Sequence, residues 1–210
     1  MMRSGMVAHP SYATLPGARD PEAMLQRLLG HWGGCGDLWV FGYASLIWRP
    51  EFDAAEQRPA LVRGWHRALR MRSRINRGTP EQPGLVFALL QGGACRGVAY
   101  RLPRHRVEAE LGRLWAREMP TGVYDPRLLR AATPAGEVQA LAFTLSRRSP
   151  AWLPHLPDGE LLHILRHARG RYGSTLEYLT LTARALDDHG VPDAEVRRLT
   201  ALARAHGLCG

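Results

Sequence analysis

The stretch LVFALLQGGACRGVAYRL, residues 85–102, decides how the fold is read. Leu85–Gln91 and Cys95–Leu102 are rich in bulky apolar and aromatic residues, and Gly92-Gly93 lies between them. The pattern predicts a β-hairpin turned at the glycine pair. Upstream, Ala60–Ile75 is expected to be extended: Arg70, Arg72 and Arg74 alternate with Leu69, Met71, Ser73 and Ile75, giving an arginine face and a mostly apolar face. Asp37–Tyr43 reads as a buried strand, and ASLIWRPEF (44–52) as a loop leaving it. Beyond the hairpin, helical spacing runs from Pro103 to just before Pro120. Two strands are expected at Arg127–Thr133 and Val138–Ser146. Helices are then expected over Asp158–Arg169, Ser174–His189 and Asp193–Ala205, with Ser174 and Asp193 as N-caps and Gly190 as a stop. About six strands come first, one helix is inserted among them, and a helical region closes the chain. That order predicts an α+β fold: a small, mostly antiparallel β-barrel with flanking helices. Closing the sheet would remove its exposed edges.

Residues 1–19 carry no period and are rich in Gly, Pro and Ala. Asp20-Pro21 opens a short helix to Leu29, which GHWGGCG (30–36) ends. Residues 1–36 are therefore expected to be an N-terminal extension and 37–210 a single domain, long enough to bury a core without disulfides. Cys35, Cys95 and Cys209 are widely spaced, without C-x-x-C or zinc spacing, and read as reduced thiols. No segment approaches 18 apolar residues and no signal peptide is apparent, so a cytoplasmic protein is expected, without a membrane role. The formal charge is +9, and all 28 basic residues are Arg. This balance favours anionic partners, but charge alone is a weak signal and a solvated surface is the better-supported reading of it. No nucleic-acid-binding motif accompanies the charge, and none is expected to act.

The helix before Pro120 ends its apolar stripe on a carboxylate. At about 100° per residue, Val107, Leu111, Leu114 and Trp115 all fall within about 60° of Glu118, whereas Arg113 and Arg117 point elsewhere. A buried carboxyl at a helix C-terminus has its pKa raised by desolvation and by the helix dipole, which suits proton transfer. A solvated end or a structural ion pair with an arginine would give the same pattern. There is no G-x-S-x-G elbow, phosphate loop, H-E-x-x-H or dinucleotide fingerprint. His163 and His167 are four apart but lack a third ligand, so neither a metal nor a cofactor is expected.

Six stretches in order resemble the ChaC family of γ-glutamylcyclotransferases: WVFGYASLIWRP (39–50), GWHRAL (64–69), RGTPEQPG (77–84), GVAYRLP (97–103), LWAREMPTGVY (114–124) and GSTLEYL (173–179). The resemblance runs from about residue 37 to 200. It implies a γ-glutamylcyclotransferase-like barrel and an enzyme acting on glutathione, with Glu118 as catalytic acid/base. It also implies substrate binding at Gly42, Tyr43, Ala44, Ser45, Leu46 and Ile47. There Tyr43 would form a wall, and Ser45 would offer a hydroxyl or backbone donor. Arg77 is a candidate for a substrate carboxylate. Tyr124 would close the site or hydrogen-bond the carboxylate, and Tyr178 would pack near the barrel mouth. Two departures stand out. Ala44 replaces the second glycine of the family's Gly-Tyr-Gly-Ser-Leu, and Thr175 stands where the family often has Asn. Ala44 keeps open other γ-glutamyl amino acids or γ-glutamylamines as substrates. A non-catalytic regulatory module linked to cation transport is a further alternative. A monomer or weak dimer is expected.

Overall fold

A computed structural model describes residues 19–208. The elements in chain order are α1 (Pro21–Trp32), β1 (Leu38–Gly42), α2 (Ser45–Trp48), β2 (Glu56–Ser73), β3 (Gly84–Leu102), α3 (Val107–Glu118), β4 (Asp125–Thr133), β5 (Gly136–Thr144), α4 (Asp158–His167), β6 (Arg169–Gly170), β7 (Gly173–Ser174), α5 (Thr175–Asp188) and α6 (Ala194–Ala205). The first 18 residues of the expected extension, and Cys209, lie outside the described residues.

Five strands, ordered β1-β3-β2-β4-β5, close into a barrel. Neighbouring pairs are antiparallel except at the closure, where β1 meets β5 in parallel through Trp39↔Ala140 and Val40↔Leu141. Because β1 and β5 run the same way, their C-terminal ends open at one mouth. Val40, Phe41, Leu89, Leu90, Ala99, Leu141 and Ala142 are all essentially without exposed surface; neighbours along a strand face opposite sides of the sheet, so both the barrel interior and the outer face under the helices are packed.

The expected hairpin at Gly92-Gly93 does not form. Residues 84–102 are one continuous strand, which is why the barrel has five strands and not about six. Across β2, Arg63 faces Ala94 and Trp65 faces Gln91, so the glycine pair opposes the single residue Gly64. That arrangement is a β-bulge. Gly92 and Gly93 have φ of 107° and 70° and Gly64 has 80°, angles only glycine adopts without strain. A second shift sets Leu69-Arg70 of β2 opposite Phe87. The two bulges bend the long β2–β3 ribbon around the barrel. The other correction is ASLIWRPEF, whose first residues form the one-turn helix α2 rather than a loop.

The helices follow their caps. Ser174 and Glu177 form a capping box at α5, and the Asp193 carboxylate accepts from Val196 N–H at α6. Helix α1 buries Met24 and Leu28 in the barrel's own core cluster. No helix among the described residues is long and apolar enough to cross a membrane.

Candidate active site

Helix α3 begins with Glu108 and Glu110 near its positive end and carries Arg117 in its last turn, both favourable to the dipole. Pro120 then prevents continuation, and Gly122 turns the chain at φ 61°. The stripe Val107, Leu111, Leu114 and Trp115 is buried as the spacing predicts. Glu118 follows it inward and keeps 14% of its side chain exposed. A second carboxylate on this face, Glu110, is buried but satisfied: it accepts from Asp53 N–H and from Arg113.

Glu118 stands among three buried tyrosines. Tyr43 follows β1, Tyr124 precedes β4, and Tyr178 projects from α5. Tyr43 donates its hydroxyl to the Phe143 carbonyl at 2.9 Å, tying the ends of β1 and β5 together. The Tyr178 hydroxyl accepts from Phe87 N–H at 3.2 Å. Burial and the nearby Glu118 charge push all three phenols upward, Tyr43 and Tyr124 well above the ordinary range, so they are neutral donors at physiological pH. Burial likewise raises Glu118. The Arg117 guanidinium opposes that rise and the Glu51 carboxylate adds to it.

Arg117 departs from the sequence expectation. Its Cα lies off the apolar stripe, yet its side chain folds back, placing Nε 2.9 Å from Glu118 Oε1. Nη2 donates to Ser45 Oγ at 3.0 Å, and Nη1 reaches the Arg49 carbonyl and, at 3.1 Å, the Glu51 carboxylate. One guanidinium thus joins α3 to α2. Glu51, in turn, is the non-glycine residue at positive φ (56°) among the described residues. Such backbone strain is common where side chains are held for function.

The stretch Gly42–Ile47 passes directly above this group. Gly42 ends β1 beneath Tyr100 and Leu46, where a Cβ would meet ring and side-chain atoms at 3.0 and 3.2 Å. Leu46 and Ile47 are core side chains of α2. Ala44 has φ −148°, so the left-handed conformation that would penalise alanine is not required, and its methyl is buried. Arg67 fixes the stretch from below. Its fully buried guanidinium donates to the carbonyls of Tyr43 and Arg96 and pairs with Asp193 at the start of α6.

Arg77 is brought near, one tyrosine removed from the carboxylate. Its guanidinium lies 5.3 Å from the Tyr178 ring and 5.8 Å from Trp48, donates to the Tyr172 carbonyl and stands 3.7 Å from Glu177. Thr175 is fully buried: its Oγ1 accepts from Leu85 N–H at 3.0 Å and donates to the Arg77 carbonyl. The arginine face of β2 does not take part. Two surface cavities of about 290 Å³ lie elsewhere, one beside α1 and one between α5 and α6, and Glu118 lines neither. Sequence reasoning missed Arg117, Glu51 and Arg67. The signal for Arg117 was its place beside Glu118 in a helix's last turn, where a long side chain can reach back.

A family model described as ChaC-like protein matches residues 38–206. The glutathione-specific γ-glutamylcyclotransferase of Escherichia coli K12 is 37% identical over 159 residues, covering 75% of this chain and 69% of that protein. The human glutathione-specific γ-glutamylcyclotransferase 1 is 33% identical over 175 residues, covering 81% and 78%. A crystal structure of a yeast γ-glutamylcyclotransferase specific to glutathione superposes with a TM-score of 0.72 at 20% identity, over 82% of this chain and 96% of that one, and so shares the fold.

Proposed function

The chain belongs to the ChaC-like family, and from that premise we propose that it cleaves glutathione to 5-oxoproline and Cys-Gly, with Glu118 moving the protons. The observation that carries this reading is a largely buried carboxylate with a raised pKa, ringed by neutral phenols and lying beside a strand-end turn.

In a γ-glutamyl amide the nucleophile is already part of the substrate. The α-amine attacks the γ-carbonyl carbon, a five-membered ring closes, and the amide C–N bond breaks. No water is consumed. Holding amine and carbonyl in register is worth up to about 7–11 kcal/mol in well-oriented model systems. The α-ammonium must first lose a proton, and the departing cysteine nitrogen must gain one. Glu118 accepts the first and returns it to the second, and a carboxyl poised above its ordinary pKa suits both steps.

The remaining residues divide by position. Ser45 and Leu46 open α2, where the helix itself supplies no acceptor for their N–H groups, and these donors face the developing oxyanion. Tyr43 and Tyr124 wall the glutamyl head. Leu46 and Ile47 hold the turn in the core while Gly42 and Ala44 shape its entry. Arg77 keeps Trp48 and Tyr178 in place and lends positive potential to the carboxylate end of the substrate. Free Cys35 and Cys95 suit a reducing cytoplasmic setting.

The test is incubation of the purified protein with glutathione, with assay of 5-oxoproline and Cys-Gly. Wild type forms both in equal amounts, and Glu118→Gln folds but forms neither. Equal rates in the two proteins would reject the role given to Glu118.

A further inference from the structure

The segment connecting the end of α3 to β4 contains Tyr124 and starts one residue after Glu118, yet no sheet ladder holds it. Within residues 119–124, Met119 N–H donates to Trp115 and Gly122 N–H to Met119; Met119 and Tyr124 pack into the core, Tyr124 against Phe143, but the backbone enters the sheet ladder only at Asp125. Three acceptors within four residues, the carbonyls of Gly122 and Tyr124 and the carboxylate of Asp125, converge on a single side chain. Arg19 Nε donates to Gly122 O at 2.9 Å, Nη2 to Tyr124 O at 2.6 Å, and Nη1 pairs with Asp125.

The contact extends along the backbone. A Cβ on Gly122 would lie 2.7 Å from the Arg19 carbonyl, so the two chains touch there. Two residues on, the Pro21 carbonyl accepts from the indole N–H of the buried Trp115, on the stripe that ends in Glu118. Residues 19–21 precede the family match, which begins at residue 38.

We propose that residues 19–21 act as a strap that positions the 119–125 segment for the reaction, with Arg19 as the positioning residue that sets the place of Tyr124 beside Glu118. The inference rests on the glutathione-cleaving reading given above. Arg19 touches neither the carboxylate nor the reacting atoms; it acts through the backbone of Tyr124. Its planar fork serves three acceptors at once, which a lysine ammonium cannot match in the same geometry. Small displacements of groups beside a reacting centre cost rate more than affinity.

The experiment compares wild type, Arg19→Ala, Arg19→Lys and, as a surface control, Arg130→Ala in the full-length protein. Steady-state turnover of glutathione is measured alongside hydrogen exchange of peptides spanning 119–125. Arg19→Ala is expected to lower kcat about tenfold with KM within about twofold, and to speed exchange in that segment alone. Arg19→Lys should recover part of both effects, and Arg130→Ala neither effect. Unchanged kcat, unchanged exchange at 119–125, or faster exchange spread across the whole barrel would each overturn the proposal. Wild type inert toward glutathione would refute the functional reading instead, leaving the exchange data to judge the strap.

Discussion

Arg117 and Glu118 are adjacent in the chain, and their side chains meet: Nε lies 2.9 Å from Oε1 although their Cα positions face different sides of α3. The carboxylate is pulled down by that cation and pushed up by burial and by Glu51, and the upward influences prevail.

The acid limb of kcat/KM should therefore move in opposite directions in two variants. Arg117→Met removes the influence that favours the charged carboxylate, so the limb moves to higher pH. Glu51→Gln removes a repelling charge, so the limb moves to lower pH. A limb that stays in place in both variants would show that another group titrates there.

Glu118→Gln should separate activity from stability. Turnover falls at least about 10²–10⁴-fold, the usual contribution of a positioned acid/base. Stability moves the other way. The folded-state pKa lies above the unfolded one, so between the two the folded chain binds more protons. Wild-type stability falls as pH rises through that window and stays lower above it. The Gln variant does not titrate. Urea denaturation should give similar stabilities at low pH and a more stable variant at pH 7.

Asp193→Asn should destabilise the fold by about 3–5 kcal/mol, because it leaves the Arg67 guanidinium buried without its counter-charge. The N-cap oxygen to Val196 survives this substitution, which isolates the charge. The loss should be nearly independent of salt, since the pair is shielded from solvent. A loss below about 1 kcal/mol would place the pair with ordinary surface ion pairs.

Ala44→Gly restores the family's residue, yet should bring no gain in stability. At φ −148° the backbone is not left-handed, so positive φ gives glycine no advantage there, and glycine loses more chain entropy on folding, costing about 0.5–1 kcal/mol. Measured KM for glutathione should stay within about twofold. A large fall in KM would mean that the methyl crowds the substrate, and would move attention to γ-glutamyl compounds other than glutathione.

The sequence carried the barrel and the carboxylate at different levels of certainty. Glu118 was legible because helical periodicity is local: four buried neighbours on one wheel point where it points. Gly92-Gly93 was misread because two glycines at positive φ serve a hairpin turn and a bulge alike. The choice is made by Gly64, 28 residues earlier, which only pairing of β2 with β3 brings opposite. Helix α2 spans four residues, too few to display a period. The Arg117 contact escaped because a helix wheel tracks Cα directions, and a long flexible side chain can turn back across the last turn. Arg67 was invisible for another reason: its partners lie at Tyr43, Arg96 and Asp193, far apart in the chain.

The clamp on Tyr43 has a consequence for biosynthesis. Its anchor, Asp193, and the phenol of Tyr178 are the last parts of the site to leave the ribosome. A nascent chain halted between α4 and α5 already contains Glu118, but lacks both the wall beside it and the brace beneath its turn. Catalytic competence should thus arrive abruptly and late in translation, so an unfinished copy cannot cleave the glutathione around it.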